Sequence, residues 1–187
     1  MPQVKCLVFD EPGPGNTSAT IAIAAERAEA PDIAEVVVAT TTGRTALAAA
    51  QALPGRRIIG VTLQAGLWSK YAGPDPQIVA RAEAAGVRML TCPHALMGSL
   101  DSAVTERFGG LAPGDFAAYV YYTFSQGTKV AVECALMAAD AGLLSMDRDI
   151  LALAGSNQGC DTALVITPAY THQFFDLRIR EILAKPR

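Results

Sequence analysis

The sequence predicts an α/β fold, a three-layer α/β/α sandwich in which helices cover both faces of a mostly parallel sheet. One observation is that short, continuously apolar runs alternate with alanine-rich segments, the pattern of buried parallel strands joined by crossover helices. A second is that only the seven residues SNQGCDT separate the last two apolar runs. Because a parallel crossover needs about a dozen residues or more, the last strand is predicted to be antiparallel in a mixed sheet.

The strand predictions rest on runs of Val, Ile and Leu that are bounded by turn-forming residues. The first run, VKCLVF, ends at the loop EPGPGN, and the later runs also lead into loops that contain Gly, Thr or Pro. The predicted strands cover residues 4–9, 35–40, 57–63, 87–92, 150–155 and 162–168.

Between these strands the chain has the composition and length of helices. Asn16 stands at a good N-cap position before the first of them, TSATIAIAAERAEA. The predicted helices cover residues 17–30, 45–53, 76–85, 99–108, 112–122, 128–141 and 174–184. With 187 residues, the whole chain, 1–187, is predicted to form a single domain.

Composition and charge argue against several classes of partner. The formal net charge is −3, and the 15 Lys and Arg residues are scattered, so no nucleic-acid footprint is predicted. No stretch of 18 residues lacks charges and turn signals, so no membrane span is predicted. The N-terminus lacks the long apolar region of a signal peptide, and we expect a cytoplasmic protein.

The four cysteines do not form a metal-binding pattern. Cys6, Cys92, Cys134 and Cys160 contain no C-x-x-C pair, and the sequence has only two histidines as further ligands. Reduced, mostly buried thiols and no metal site are therefore predicted.

The stretch ATTTGRTA at 39–46 follows the apolar run VVV and precedes a helix. Ligands of open α/β sheets bind beyond the carboxyl ends of strands, where a helix N-terminus offers free N–H groups and partial positive charge. Hydroxyl and guanidinium donors at that point indicate a phosphate site; the alternative is that Thr42 only caps the helix. The candidate residues are Thr40, Thr41, Thr42, Gly43, Arg44 and Thr45.

A second polar loop, AGSNQGCDT at 154–162, follows the predicted strand ILAL. If that strand neighbours the VVV strand, both loops border one crevice; the alternative is a glycine-rich tight connection. The candidate binding residues in this loop are Gly155, Ser156, Gly159, Asp161 and Thr162.

A few polar residues elsewhere are candidates for the same site. Lys129 and Glu133 are four apart in an apolar helix, where a buried charge needs a partner, although a surface pair is the alternative. His94 follows a strand end and either contacts a ligand or forms structural hydrogen bonds. Asn16 and Thr17 open the first helix and either bind an anion or cap it.

Five segments in order resemble the pyruvate kinase C-terminal domain and its free-standing relatives, the pyruvate kinase alpha/beta domain proteins. The segment VVVATTTGRTALAAAQALPGRRIIGVT resembles the strand, loop and helix that hold a phosphate of the sugar bisphosphate activator. AGSNQGCDTALVITP resembles the loop that closes over that effector, and FDEPGPGNT, FSQGTKVAVECALMAADAGLL and FFDLRIREIL complete the likeness.

The resemblance implies a pyruvate kinase C-terminal-domain-like sandwich without the catalytic barrel, so pyruvate kinase activity is not expected. It also implies bound flavin mononucleotide (FMN) as the cofactor, because free-standing relatives are associated with that ligand. Relatives carry an aromatic residue or histidine near the segment VTLQAG, and this chain departs from that pattern with Gln64, which is kept as a candidate cofactor-binding residue.

Three functions are compatible with the sequence. The first is a module that binds a small phosphorylated ligand, FMN by resemblance; the second is a flavin-dependent oxidoreductase; the third is a sugar-phosphate sensor. The sequence pattern supports ligand binding and does not indicate a catalysed reaction. It leaves a homo-oligomer open, since the apolar helix at 112–122 offers surface that subunits could bury.

Overall fold

The computed structural model describes residues 5–187, and its centre is one seven-stranded sheet. The spatial order of the strands is β1-β7-β6-β5-β2-β3-β4. The strands are β1 (Leu7–Phe9), β2 (Glu35–Ala39), β3 (Arg57–Val61), β4 (Arg88–Leu90), β5 (Ile150–Ala154), β6 (Thr162–Thr167) and β7 (Arg178–Pro186).

The strand directions confirm the predicted mixed sheet. The block β5-β2-β3-β4 is parallel throughout, whereas β6 runs antiparallel to both β5 and β7. β1 pairs with β7 in parallel at the far edge. The short β5–β6 connection thus forces the reversal that its length predicted.

Helices cover both faces of the sheet, which confirms the three-layer sandwich. β2, β3, β5 and β6 supply almost wholly buried runs, as expected for strands covered on two sides. Within residues 5–187, no helix is long and apolar enough to cross a bilayer. The helices are α1 (Thr17–Ala28), α2 (Arg44–Ala52), α3 (Pro76–Ala84), α4 (Leu100–Phe108), α5 (Pro113–Tyr122) and α6 (Gln126–Asp140).

The two faces of the sheet support separate apolar cores. Buried residues of α1, α2 and α3 pack on one face, with Ile33 and Leu151 among the fully buried side chains. On the other face, α6 buries twelve of its fifteen residues, and Ala118 of α5 packs beside it. α6 is therefore the central helix of its layer, and its N-terminus is held close to the sheet.

The prediction of a helix at 174–184 is wrong. Residues Thr171–Asp176 form a short 3-10 segment, and the chain continues as β7, which is inserted between β6 and β1. Arg, Glu and Leu favour a helix locally, whereas the two neighbouring strands offer backbone groups with which an extended chain can pair. Tertiary pairing therefore decides the conformation.

Two smaller expectations also need correction. Asn16 occupies the N-cap position of α1, but its side chain does not cap the helix and instead donates to the carbonyl of Glu11. The predicted first strand shortens to three residues, and Val4, its first predicted residue, lies outside the described part of the chain.

Close approach between α6 and the start of β6 requires a glycine at position 127. A β-carbon added there would lie 2.1 Å from Oγ1 and 2.6 Å from Cβ of Thr162, which is fully buried. Neither side can move freely, because α6 packs on the sheet along most of its length. The contact fixes the start of α6 beside the end of β5.

We expect Gly127→Ala to lower the free energy of unfolding by roughly 1–3 kcal/mol, because overpacking outweighs the usual helix gain from alanine. Urea unfolding followed by circular dichroism measures the effect. Gly15→Ala is the control, since a β-carbon at Gly15 has open space around it; its effect should stay within about 0.5 kcal/mol. Equal stability of the two variants would contradict the tight contact.

Candidate functional site

The two polar loops singled out in the sequence leave the same edge of the sheet. β2 and β5 are parallel neighbours, paired from Val36 with Leu151 to Val38 with Leu153. The chain continues from β2 into α2 on one face, whereas β5 is reached from α6 on the other face. The gap between β2 and β5 is therefore a topological switch point, where open α/β sheets bind ligands.

In the loop after β2, the first threonine is buried and the next two residues lie partly exposed at the edge of the crevice. Thr40 is buried, donates its backbone N–H to Val61, and accepts from the N–H of Ala46 at 3.4 Å. Gly43 is the N-cap residue of α2, with φ 96°, and has no side chain to cap the helix, so the Thr40 hydroxyl is the acceptor that reaches the first turn. The alternative that Thr42 caps this helix is therefore wrong.

The remaining polar side chains of this loop have no partners within residues 5–187. The hydroxyls of Thr41, Thr42 and Thr45 make no hydrogen bond there, and the Arg44 guanidinium has neither a hydrogen bond nor an ion pair. Together with the uncapped amides of α2, they form a set of donors beside a helix N-terminus.

Gly43 itself has a structural explanation. Its φ lies in the left-handed region, and an added β-carbon would lie 3.2 Å from Cγ2 of Ile78 and 3.4 Å from the backbone N of Val79. The glycine lets the turn pack against α3. The backbone N–H of Asp75 also donates to the Thr42 carbonyl, which ties the loop to the start of α3.

The loop after β5 is organised by the carboxylate of Asp161, which is fully buried. Its Oδ2 accepts from the backbone N–H groups of Gly13 at 3.0 Å and Ser156 at 3.1 Å, and its Oδ1 accepts from the Thr162 hydroxyl at 2.9 Å. Three donors compensate the charge that burial would otherwise penalise. Asp161 therefore holds the loop in place, and its carboxylate is not directed at a ligand.

The start of α1 packs directly on the second loop. Thr17 Oγ1 accepts from the backbone N–H of Cys160 at 3.0 Å and donates to the Pro14 carbonyl. A β-carbon at Gly159, where φ is 73°, would lie 2.5 Å from Cα of Pro14, and one at Gly155 would lie 2.4 Å from the Gly159 carbonyl oxygen. Thr17 and Gly159 therefore join the N-terminal segment to this loop, whereas Gly155 packs within the loop and Asn16 bonds within the N-terminal segment.

The N-terminus of α6 completes this edge of the sheet. Ser125 is the N-cap: its Oγ accepts from the backbone N–H of Thr128 at 3.0 Å and lies 3.3 Å from the Thr162 hydroxyl. The sequence analysis did not identify Ser125 or Thr128. The signal was present as a serine immediately before the long apolar helix, which is an N-cap signature.

Lys129 and Glu133 form a buried ion pair, so the alternative of a surface pair is wrong. Lys129 Nζ donates to Glu133 Oε2, and both residues are at least 95% buried. Glu133 Oε1 also accepts from the backbone N–H groups of Leu96 at 2.9 Å and Met97 at 3.0 Å. The pair therefore anchors the loop after β4 to α6, and Asp140 lies apart from it, bonded to Thr171.

Gln64 and His94 join the loops after β3 and β4. His94 Nδ1 lies 3.0 Å from the Met97 carbonyl, and its Nε2 accepts from the Gln64 N–H at 3.3 Å. The Gln64 side chain donates to the Gly98 carbonyl and accepts from the N–H of His94 and from Ser99 Oγ. These contacts favour the structural interpretation of His94 and use the polar atoms of Gln64 within the chain.

The cysteines lack the features of catalytic thiols. All four are free; Cys134 and Cys160 are buried, Cys92 is half-buried and Cys6 is exposed. Burial raises the pKa of Cys160 to about 12 and also raises the pKa of Cys134 and Cys92. These three thiols therefore stay protonated at neutral pH, where the thiolate would be the nucleophile.

A cleft of about 390 Å³ lies elsewhere, along the C-terminal half of α6. Its lining includes Cys92, His94, Met137 and Thr171, and no residue of the 40–45 or 155–162 loops. The largely apolar lining offers few groups that would orient a phosphate. The donor set beside α2 is therefore the stronger candidate site for a phosphate.

Two crystal structures of pyruvate kinase from Cryptosporidium parvum resemble this structure. One is 17% identical over 80% of this chain and 22% of that chain, with a TM-score of 0.43. The other is 16% identical over 80% of this chain and 21% of that chain, with a TM-score of 0.39. This chain thus spans about one fifth of the length of those enzymes.

A family model described as pyruvate kinase, alpha/beta domain, matches residues 18–166. The match includes both polar loops, α2 and the whole of α6. It extends from α1 into β6 and so covers most of the sheet described above. The chain belongs to the pyruvate kinase alpha/beta domain family.

Proposed function

We propose that the protein binds a phosphorylated small molecule at the switch point between β2 and β5, with the phosphate at the 40–45 loop. The observation that carries the proposal is a set of donors without partners in residues 5–187: the Arg44 guanidinium, the hydroxyls of Thr41, Thr42 and Thr45, and the first backbone N–H groups of α2. A dianionic phosphate accepts from donors of all three kinds and is favoured by the helix dipole.

The 155–162 loop, which forms the other side of the crevice, does not repel an anion. Asp161 directs its oxygens to Gly13, Ser156 and Thr162, and three donors balance its charge. The 155–162 loop is consequently a rigid border, with Ser156 partly exposed. Gly155 and Gly159 keep the loop compact, which leaves the crevice to the ligand.

We assign the ligand as FMN on the strength of family resemblance. The phosphate donors fit its terminal phosphate, and an aromatic side chain stands on the neighbouring loop after β3, where the Tyr71 ring is 62% exposed. Trp68 has a structural role instead, since its Nε1 donates to the Leu63 carbonyl and its ring packs on Gly73. FMN, when bound, would supply hydride and electron transfer, with the protein providing orientation.

We expect the double substitution Arg44→Ala with Thr42→Ala to weaken FMN binding roughly 10- to 100-fold, because charge-assisted hydrogen bonds to the phosphate are lost. Isothermal titration calorimetry measures the affinity. Riboflavin, which lacks the phosphate, is the matched ligand: the native protein should prefer FMN, and the variant should lose most of that preference. The fold should persist, since neither side chain makes a bond within residues 5–187.

Arg81→Ala is the control variant, because Arg81 is an exposed arginine on α3 without an ion pair in residues 5–187. It should leave the affinity for FMN unchanged. If the double variant binds FMN as tightly as the Arg81→Ala control, the 40–45 loop does not hold the phosphate.

The visible absorption spectrum of the purified protein tests the identity of the ligand. Flavin bands that are released by heat denaturation are expected, or their appearance after incubation with FMN. A protein that stays colourless in both cases contradicts the flavin assignment. A rise in melting temperature with a sugar bisphosphate would then favour the sensor, since a ligand that binds the folded state stabilises it.

Turnover separates a binding module from an oxidoreductase. Reduction of the bound flavin by a nicotinamide cofactor, followed by reoxidation with an acceptor over many cycles, would establish the enzyme. Bound flavin that stays oxidised in the presence of NADH and NADPH would support the binding module alone.

A further inference from the structure

Two neighbouring helices expose large apolar side chains in regular stripes. On α4 these are Leu100, Val104 and Phe108, with exposed fractions of 76%, 43% and 80%. At α5 and its end they are Phe116, Val120 and Phe124, at 58%, 46% and 47%. We call these six residues the α4–α5 face. The spacing of four places each trio along one side of its helix, as in a helix that buries that side.

On α4 the large apolar side chains face outward, in contrast to those of α1 and α6, which are mostly buried. Two of the polar residues of α4 point inward, since Ser102 Oγ and Thr105 Oγ1 donate to the carboxylate of Asp115 at 2.8 and 2.9 Å. Glu106 and Arg107, by contrast, are exposed. Asp115 is 4% exposed, and Asp101 accepts from the N–H of Gly114. No residue of α4 is buried. The fold thus holds α4 by hydrogen bonds and leaves its apolar side outward.

We infer that the α4–α5 face is the contact between two copies of this chain in a two-fold symmetric dimer. The exposed parts of six large apolar side chains, with their surroundings, amount to several hundred Å², on the order of the roughly 800 Å² that each partner buries in a standard interface. Patches of this size on soluble proteins mark interaction surfaces, and contacts between identical subunits are the more apolar class.

The order of side chains along each stripe is compatible with a two-fold axis. Val104 lies midway between Leu100 and Phe108, and Val120 lies midway between Phe116 and Phe124. When α5 of one copy packs antiparallel to α5 of the other with the axis at Val120, each Phe116 faces Phe124 of the other copy. The small central residue leaves room for the larger ones on either side, which is the condition for interdigitation.

The charges of this region disfavour a membrane surface as the occupant. Residues 100–124 contain three acids, Asp101, Glu106 and Asp115, and a single base, Arg107. Helices that lie on anionic membranes carry rows of Lys and Arg on their polar side. An apolar protein surface of the same composition is the better complement.

Sedimentation equilibrium of the full chain tests the dimer. The expected mass at micromolar concentration is twice 19.6 kDa, the mass of one chain. Val120→Glu and Val120→Lys should each give monomers, with association weakened roughly 100-fold or more, because like charges then face each other across the axis. An equimolar mixture of the two variants should restore the dimer, since Glu and Lys are then opposed.

Phe175→Glu is the control, since Phe175 is 87% exposed outside the α4–α5 face, and it should leave the dimer intact. Circular dichroism checks the fold of each variant, and Tyr119→Glu with Tyr119→Lys repeats the test on the adjoining exposed residue if a Val120 variant does not fold. A monomeric native chain, a Val120→Glu variant that stays dimeric, or binding to neutral lipid vesicles by a monomeric chain overturns the inference.

Discussion

The buried carboxylate of Asp161 is the constraint on which the candidate site depends. It accepts hydrogen bonds from the N-terminal segment, from the turn after β5 and from the first residue of β6. A charge in this position is tolerated only because each oxygen is occupied by donors. The same network places Thr162 against Gly127, so one side chain fixes the border of the crevice and the start of α6.

The 40–45 loop, on the other side of the crevice, has hydrogen-bond donors without partners in the described part of the chain, and these donors determine which ligands the site can bind. Around Asp161 the donors and acceptors are matched inside the chain, whereas the donors of the 40–45 loop face no acceptor within residues 5–187. The exposed side chains of Asn157 and Gln158 in the 155–162 loop also make no hydrogen bond within residues 5–187. The 40–45 loop differs because its free donors include a guanidinium and lie at a helix N-terminus, which is more informative than the glycines, whose presence backbone packing explains.

Sequence patterns predicted the sandwich and the strand reversal at β6, because each depends on local apolar runs and connection length. The adjacency of the two loops was expected only on the condition that β2 and β5 are neighbours, since that pairing is not local. The patterns failed at β7, where the sequence RIREIL is compatible with a helix and only the gap between β6 and β1 selects a strand. They also could not assign Gln64 and His94, whose hydrogen bonds join loops 30 residues apart. Lys129 and Glu133 were recognised as a pair. Their burial was not predicted, because it depends on the loop at Leu96, which is distant in the sequence and contacts Glu133.

The exposed stripe on α5 and the Thr162 border of the crevice meet at one point of the chain. Phe124 ends the exposed stripe on α5, and Ser125, the next residue, caps α6 and contacts Thr162 beside the crevice. The Phe124 carbonyl also accepts from Lys185 of β7. A contact that orders the end of α5 would therefore restrict the same backbone that sets the first turn of α6. The position of the α6 N-terminus is thus shared between the outer surface and the edge of the sheet.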